Sequence, residues 1–382
     1  METEELLTKK DLNRIKGSLF GGACGDALGY PVEFSTLDAI KARYGNDGIT
    51  GYEYDPKTGL ALISDDTQMT LFTANGILCG FTRNHFHKNG APTLEYVAHA
   101  YKDWMFTQDC TMEEFEKRCA KGYFCNSWLC DVPEMFSQRA PGNTCMSALH
   151  QAEIGSISHP INNSKGCGGL MRVAPLAMYN CDMDFETLDR TGAEIAALTH
   201  GHSLGYMPAA VLTHILSRLI YPQGTSYSFI QIVREAMDAA ERLFPYDAHF
   251  GTLRATIERA IELTSSNAYD YINIHRIGPG MVAEETLAIA IYCCLKYPND
   301  FSKGIIAAVN HDGDSDSTGC ITGQILGAMN GYDAIDKKWL EKLELSDVIN
   351  EIAEDMARED FGETSEADPL WISKYVHANR TL

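Results

Sequence analysis

The sequence lacks any run of about 18 continuously apolar residues, the length a membrane-spanning helix needs. Its best candidate, Thr286 to Leu295, is far shorter. The opening METEELLTKKDLNR contains no apolar leader segment, so no secretion signal is expected, and the final HANRTL carries no lipidation signal. The 12 cysteines include no C-x-x-C pair and fit no zinc framework. Reduced thiols in a cytoplasm, packed as small apolar side chains, are therefore expected. Positive charge is scarce: 31 Lys and Arg against 52 Asp and Glu leave −21 over 382 residues, with no basic run. That balance repels nucleic-acid backbones and anionic membranes, so neither is expected as a partner. A phosphorylated ligand would need positive charge from a metal ion or from helix N-termini. Internal repeats, low-complexity tracts and long Pro/Gly/Ser linkers are also missing. At 45% hydrophobic and 22% charged, the composition excludes disorder, collagen and coiled coil. One domain over residues 1–382, acting as a monomer, is expected.

What is present is helical periodicity. Ala283, Leu287, Ala290, Ile291, Cys294 and Leu295 share one helical face, and Val211, Leu212, Ile215, Leu216, Leu219 and Ile220 form the same stripe. Pro208 suits the first turn of that second helix. Ser64 to Leu78 reads as a helix with Ser64 at the N-cap and Asp65 and Asp66 in its first turn. Gly48 to Tyr54 is the one tempting strand. Arg83 to Thr93 and Tyr221 to Ser228 read as surface connections, and the acidic stretch Glu341 to Asp368 as solvated helix faces. The fold class is all-α.

Two segments repeat glycine every fourth residue: Gly17, Gly21, Gly25, Gly29 and Gly319, Gly323, Gly327, Gly331. Interior glycine costs a helix about 1 kcal/mol relative to alanine, so two such stripes need a cause. Close backbone approach between two helices supplies one, while Asp26 and Gln324 argue against a membrane setting. If the two helices pair antiparallel, the acidic ends of both stripes meet.

Those acidic ends are Gly25-Asp-Ala-Leu-Gly-Tyr-Pro-Val-Glu33 and His311-Asp-Gly-Asp-Ser-Asp-Ser-Thr-Gly319, and a third cluster is Ser64-Asp-Asp-Thr67. Each has a plain structural explanation: capping for Ser64–Thr67, a surface carboxylate for Glu33, an acidic turn for the last. Asp312, Asp314, Asp316 and Thr318 match the early spacing of a calcium loop. Ser317 and Gly323 stand where that loop needs glycine and glutamate. What remains suits a hard divalent cation with oxygen ligands. Together Asp65, Asp66, Asp314, Asp316 and Glu33 would bring −5 to one pocket, and two divalent cations would reduce it to about −1. A dinuclear Mg2+ or Mn2+ site is the economical solution, able to clamp hydroxyls or phosphate oxygens and orient water. Ser164 to Arg172 is a glycine-rich loop able to offer N–H groups to a pyrophosphate, though a plain turn reads equally well. His200 and His202 in Thr199-His-Gly-His202 could offer imidazoles or be structural. Arg139 to Thr144 reads as a turn and a helix cap.

These residues resemble the ADP-ribosylglycohydrolase family. The likeness rests on Gly25–Gly29 with Glu33, Ser64–Thr67, Gly166 to Pro175 (GCGGLMRVAP), Thr199 to Tyr206 (THGHSLGY) and Gly313–Gly319, in the family's order. It implies an all-α, single-domain fold with a binuclear metal centre. It also implies metal ligands at Ser64, Asp65, Asp66, Asp314, Asp316 and Ser317, and two Mg2+ or Mn2+ as cofactors. Glu33, Asp65 and Asp66 would be catalytic. Gly166, Cys167, Gly168, Gly169 and His202 would bind substrate, although many relatives carry Asn where Cys167 stands. The implied activity is hydrolysis of the N-glycosidic bond of ADP-ribosylated protein, arginine-linked by preference, releasing ADP-ribose. Alternatives are an O-linked substrate, serine-linked or a small metabolite, and a non-catalytic ADP-ribose-binding protein of the same fold.

Overall fold

The computed structural model describes residues 10–86, 91–179, 183–222, 227–358 and 368–376. Helices there are α1 (Leu12–Gly29), α2 (Leu37–Tyr44), α3 (Asp65–Phe86), α4 (Thr93–Asp109), α5 (Met112–Cys119) and α6 (Asn143–Leu149). They continue with α7 (Ala174–Tyr179), α8 (Phe185–Ala197), α9 (Ser203–Ile220), α10 (Phe229–Leu243), α11 (Phe250–Leu263) and α12 (Asp270–Ile277). The last are α13 (Ala283–Lys296), α14 (Phe301–Val309), α15 (Ser315–Asn330), α16 (Lys337–Leu340), α17 (Ser346–Met356) and α18 (Pro369–Tyr375). Among the described residues, extended pairing is limited to isolated bridges at Ala61 with Leu343 and Gly166 with Val282. The architecture is all-α.

Helices α1 and α15 lie antiparallel at the centre. Built onto Gly17, Gly21 or Gly25, a Cβ would fall inside van der Waals contact of the carbonyl oxygen of Gly327, Gly323 or Gly319 respectively. The reciprocal clash occurs from Gly319, Gly323 and Gly327. Only glycine allows this backbone-to-backbone packing. The register continues at both ends, but without a glycine partner. Gly29 faces the Ser315 backbone, and Gly331, at φ +81°, ends α15 in a left-handed turn instead of extending the stripe.

Four sequence expectations change. Gly48 to Tyr54 forms no strand and is irregular, with Gly48 at φ +70°: Asn310 Oδ1 accepts from Ile49 N–H (2.8 Å) and its Nδ2 donates to Ile49 O (2.9 Å). One side-chain amide thus takes both backbone groups of Ile49. The second helix begins at Ser203, so Pro208 sits in its interior. Helix α3 runs on through Arg83, which is buried and donates to Asn126 Oδ1 and the Tyr375 carbonyl; residues 87–90 of that expected connection, and 223–226 of the other, lie outside the described residues. In the acidic stretch, Glu344 and Asp355 are buried. Glu344 accepts from Ile63 N–H (3.1 Å) and pairs with Arg139 (2.7 Å), while Asp355 binds Lys374 and Tyr375. Residues 359–367 of that stretch lie outside the described residues.

Gly323→Ala should destabilise the protein by about 3 kcal/mol, because the obstacle is backbone and cannot rotate away. Gly251→Ala, where nothing lies within 4 Å of the added Cβ, should stabilise by up to about 1 kcal/mol. Urea unfolding of both variants checks the contrast.

Candidate metal centre

The antiparallel pairing carries the C-terminal end of α1 to the N-terminal end of α15. Asp26, fully buried on α1, joins α3 to this meeting point. Its carboxylate accepts from Ser64 N–H (3.0 Å), Thr67 N–H (3.1 Å) and the Thr67 hydroxyl. These bonds satisfy N–H groups that the start of a helix leaves unpaired. Ser64 Oγ accepts from Asp66 N–H (3.2 Å), completing the cap. Asp314 caps α15 through Ser317 N–H (3.2 Å). Two helix N-termini, each with its partial positive charge, therefore face one acidic cluster.

Within it, donor oxygens of Glu33, Asp314 and Asp316 all lie within 4.8 Å of one another. Ser317 Oγ donates to Asp66 Oδ1 (3.3 Å), tying α15 to α3. Asp66 Oδ2 is buried without a hydrogen-bond partner. Asp65 Oδ2 accepts from Gly142 N–H (3.2 Å), and Asp65 N–H donates to Arg139 O (3.0 Å), which draws the 139–142 loop over the cluster. Cys167 Sγ donates to Asp314 Oδ2 (2.7 Å).

Burial pushes the carboxyls of Asp65, Asp66 and Asp316 well above the usual range, and the neighbouring acids push further. Glu33 rises to about 8 through burial, then through Asp314 and Asp26. Asp26 rises to about 6, its desolvation partly offset by its hydrogen bonds. An orphaned buried carboxylate oxygen, carboxyl and hydroxyl donors, and anions strained by mutual repulsion together fit hard divalent cations.

The acids line a cavity of about 320 Å3 with Ser317, Gly166, Cys167 and Gly168. The glycine loop forms a short turn, Cys167–Gly169, anchored by the Gly166–Val282 bridge and by Ala283 N–H to Lys165 O (3.0 Å). Ser64, Gly169 and His202 do not line this cavity. Ser64 and His202 are occupied as caps, His202 Nδ1 accepting from Leu204 N–H (3.0 Å), and Gly169 is buried against Ala196. Its neighbour His200 does line the cavity, as do Phe34, Ala140 to Cys145, Met171 and Met281. The sequence offered His200 as one of two possible imidazoles and residues 139–144 as a turn and cap, and gave no sign of Phe34 or Met281. Pro141-Gly142 signalled only a turn, and nothing in it showed the turn folding back onto Asp65.

An all-helical scaffold brings two capped N-termini to a five-carboxylate cavity, a donor set that suits divalent cations. The chain belongs to the ADP-ribosylglycohydrolase family, whose profile matches residues 7–366. It is 24% identical to human ADP-ribosylhydrolase ARH3, over 91% of this chain and 94% of that one. It is 23% identical to the ADP-ribosyl-[dinitrogen reductase] glycohydrolase of Rhodospirillum rubrum, over 87% and 91%. To the ADP-ribosylarginine hydrolase Tri1 of Serratia proteamaculans it is 24% identical, over 91% and 80%. A solved ADP-ribosylglycohydrolase-related protein complex shares the fold, with TM-score 0.57 and 23% identity over 91% of this chain and 98% of that one. Among the described residues, no helix is long and apolar enough to cross a membrane.

Glu33 titrates near 8 against an ordinary value of 4.5. Its protonated form therefore contributes stability that is complete below about 4.5 and lost as pH rises through 8. Thermal midpoints of metal-stripped and Mg2+-loaded protein should diverge as pH rises from 5.5 to 8.5, because protons and cation compete for the same oxygens. An equal metal-induced shift at both pH values would contradict this.

Proposed function

We propose that this protein is a metal-dependent ADP-ribosylglycohydrolase that removes ADP-ribose from protein, with arginine-linked ADP-ribose as the preferred substrate. The observation that carries the reading is the convergence of Glu33, Asp65, Asp66, Asp314 and Asp316 on one cavity beside a glycine loop. Asp65, Asp66, Asp314, Asp316 and Ser317 are the residues to hold two Mg2+ or Mn2+ ions, the Ser64 hydroxyl being engaged in the α3 cap beside them. When bound, the ions neutralise the acids and lend Lewis-acid polarisation to substrate oxygens and water.

The residues divide the remaining work. The Gly166–Gly168 backbone cradles the diphosphate of ADP-ribose. Asp65 or Asp66 takes the proton of the water that attacks the anomeric carbon, where positive charge develops as in other glycosyl transfers. Glu33, whose burial favours the protonated carboxyl, returns a proton to the departing nitrogen. Phe34 is 60% exposed and Met281 44% exposed at the same cavity. A planar guanidinium stacks on an aromatic face, so the exposed Phe34 ring suits arginine better than the small hydroxyl of serine. The charge of −21 favours the same cationic target.

Incubation with Mg2+ and peptides carrying ADP-ribosylarginine or ADP-ribosylserine tests the reading, with release of ADP-ribose as the signal. Faster release from arginine is expected. Faster release from serine would transfer the activity to O-linked substrates, and binding without release would make the protein a reader. Glu33→Gln should lower kcat by about 100-fold or more. Asp316→Asn should lose metal binding, read by calorimetry, together with turnover.

A further inference from the structure

Arg172 is fully buried, yet its guanidinium is held by neutral groups. It donates to the Ile195 carbonyl (3.2 Å) and the Thr199 hydroxyl (2.7 Å) and reaches the sulfurs of Met69 (3.5 Å) and Cys145 (3.6 Å). It also lies 4.1 Å from the Tyr101 ring centroid. A buried charge with neutral partners is costly, so what it organises matters.

Thr199 Oγ1 is also 2.9 Å from His200 Nδ1. A guanidinium nitrogen can only donate, so one lone pair of Thr199 Oγ1 is taken by Arg172, and its proton has two acceptors in reach, His200 Nδ1 and the Cys145 sulfur. The acidic cavity beyond Nε2 favours a proton on that nitrogen, which leaves Nδ1 bare to accept from Thr199. The Nε2 atom faces the glycine loop: a Cβ on Gly166 or Gly168 would stand 3.4 or 3.5 Å from it. His200 is 2% exposed and lines the acidic cavity.

We propose that Arg172, acting through Thr199, is a positioning residue that fixes His200 as its Nε2–H tautomer, a donor to an acceptor oxygen of the ligand on the Gly166–Gly168 loop. Burial, and then the Arg172 charge, push the imidazole pKa down to about 3, which agrees with a neutral ring throughout the physiological range. The site thereby selects for a phosphate or hydroxyl oxygen at this point and against a group that can only donate.

The test uses the full-length, Mg2+-loaded protein with 15N-labelled histidine, the His200 signals being assigned by their loss in His200→Gln. In the parent protein Nε2 should be protonated and Nδ1 bare. Arg172→Met frees the Thr199 hydroxyl to rotate and should return His200 to a mixture of tautomers. Thr199→Val, close to isosteric, should do the same and weaken ADP-ribose about tenfold by calorimetry, the loss of one hydrogen bond. Thr199→Ser should restore both readouts. A proton on Nδ1 in the parent protein, or an unchanged tautomer in Arg172→Met and Thr199→Val, would overturn the proposal. Only the affinity arm rests on ADP-ribose being the ligand. If the parent protein binds none, the function proposed above fails, while the tautomer arm still decides this inference. Thermal unfolding of each variant separates lost relay from lost fold, and Thr199→Val stands if Arg172→Met does not fold.

Discussion

Backbone contact between α1 and α15 is the constraint on which the rest depends. Side chains normally hold helix axes 8–10 Å apart, and here three opposed glycine pairs remove that spacer. The closeness has a directional consequence. Because the pairs run antiparallel in strict register, the residue that follows α1 and the residue that precedes α15 must arrive together. Glu33 and Asp314 are separated by most of the chain, yet their donor oxygens come within ligand distance.

Such a gathering of acids opposes folding. Each carboxylate taken from water is penalised, and each neighbour adds repulsion. Two features of the chain offset part of this. The amino ends of α3 and α15 point at the cluster, so the positive ends of two helix dipoles meet the negative charge. Buried Asp26 spends its hydrogen-bonding capacity on α3 rather than on the cavity, becoming a strut rather than a ligand. The remainder is left for cations, and Asp66 Oδ2, buried without a partner, marks where protein atoms alone fall short.

Much of this arrangement was legible in the chain. The glycine period announced two helices in contact, and the acids at their ends announced a shared pocket, because both signals are local and rest on steric or Coulombic exclusion. What stayed hidden depends on partners distant in sequence. Asp26 looked like one more acid in a cluster, and its capping role needs α3 to lie across it. Arg139 to Thr144 read as a turn because nothing local records that Asp65 holds it. His202 and His200 are equivalent as letters, and only the direction of α9 sends one to cap a helix and the other to the cavity. The strand expected at Gly48 to Tyr54 did not form: only Gly48 and Ile49 are buried there, and the Asn310 amide takes both backbone groups of Ile49. Glu344 and Asp355 looked solvated for the same reason: their counter-charges lie elsewhere in the chain.

Glu344 carries a consequence for how the molecule is made. Every carboxylate of the cavity has been synthesised by Asp316, yet the segment entering α3 is bonded through Ala61 to residues 342–344, and Arg139 is anchored on the Glu344 carboxylate. On the ribosome, a nascent chain stopped at α15 would own all its acids and still lack the brace that shapes their rim. The centre can mature only once residues 342–344 have also been made, which separates possession of the metal-binding residues from the ability to use them.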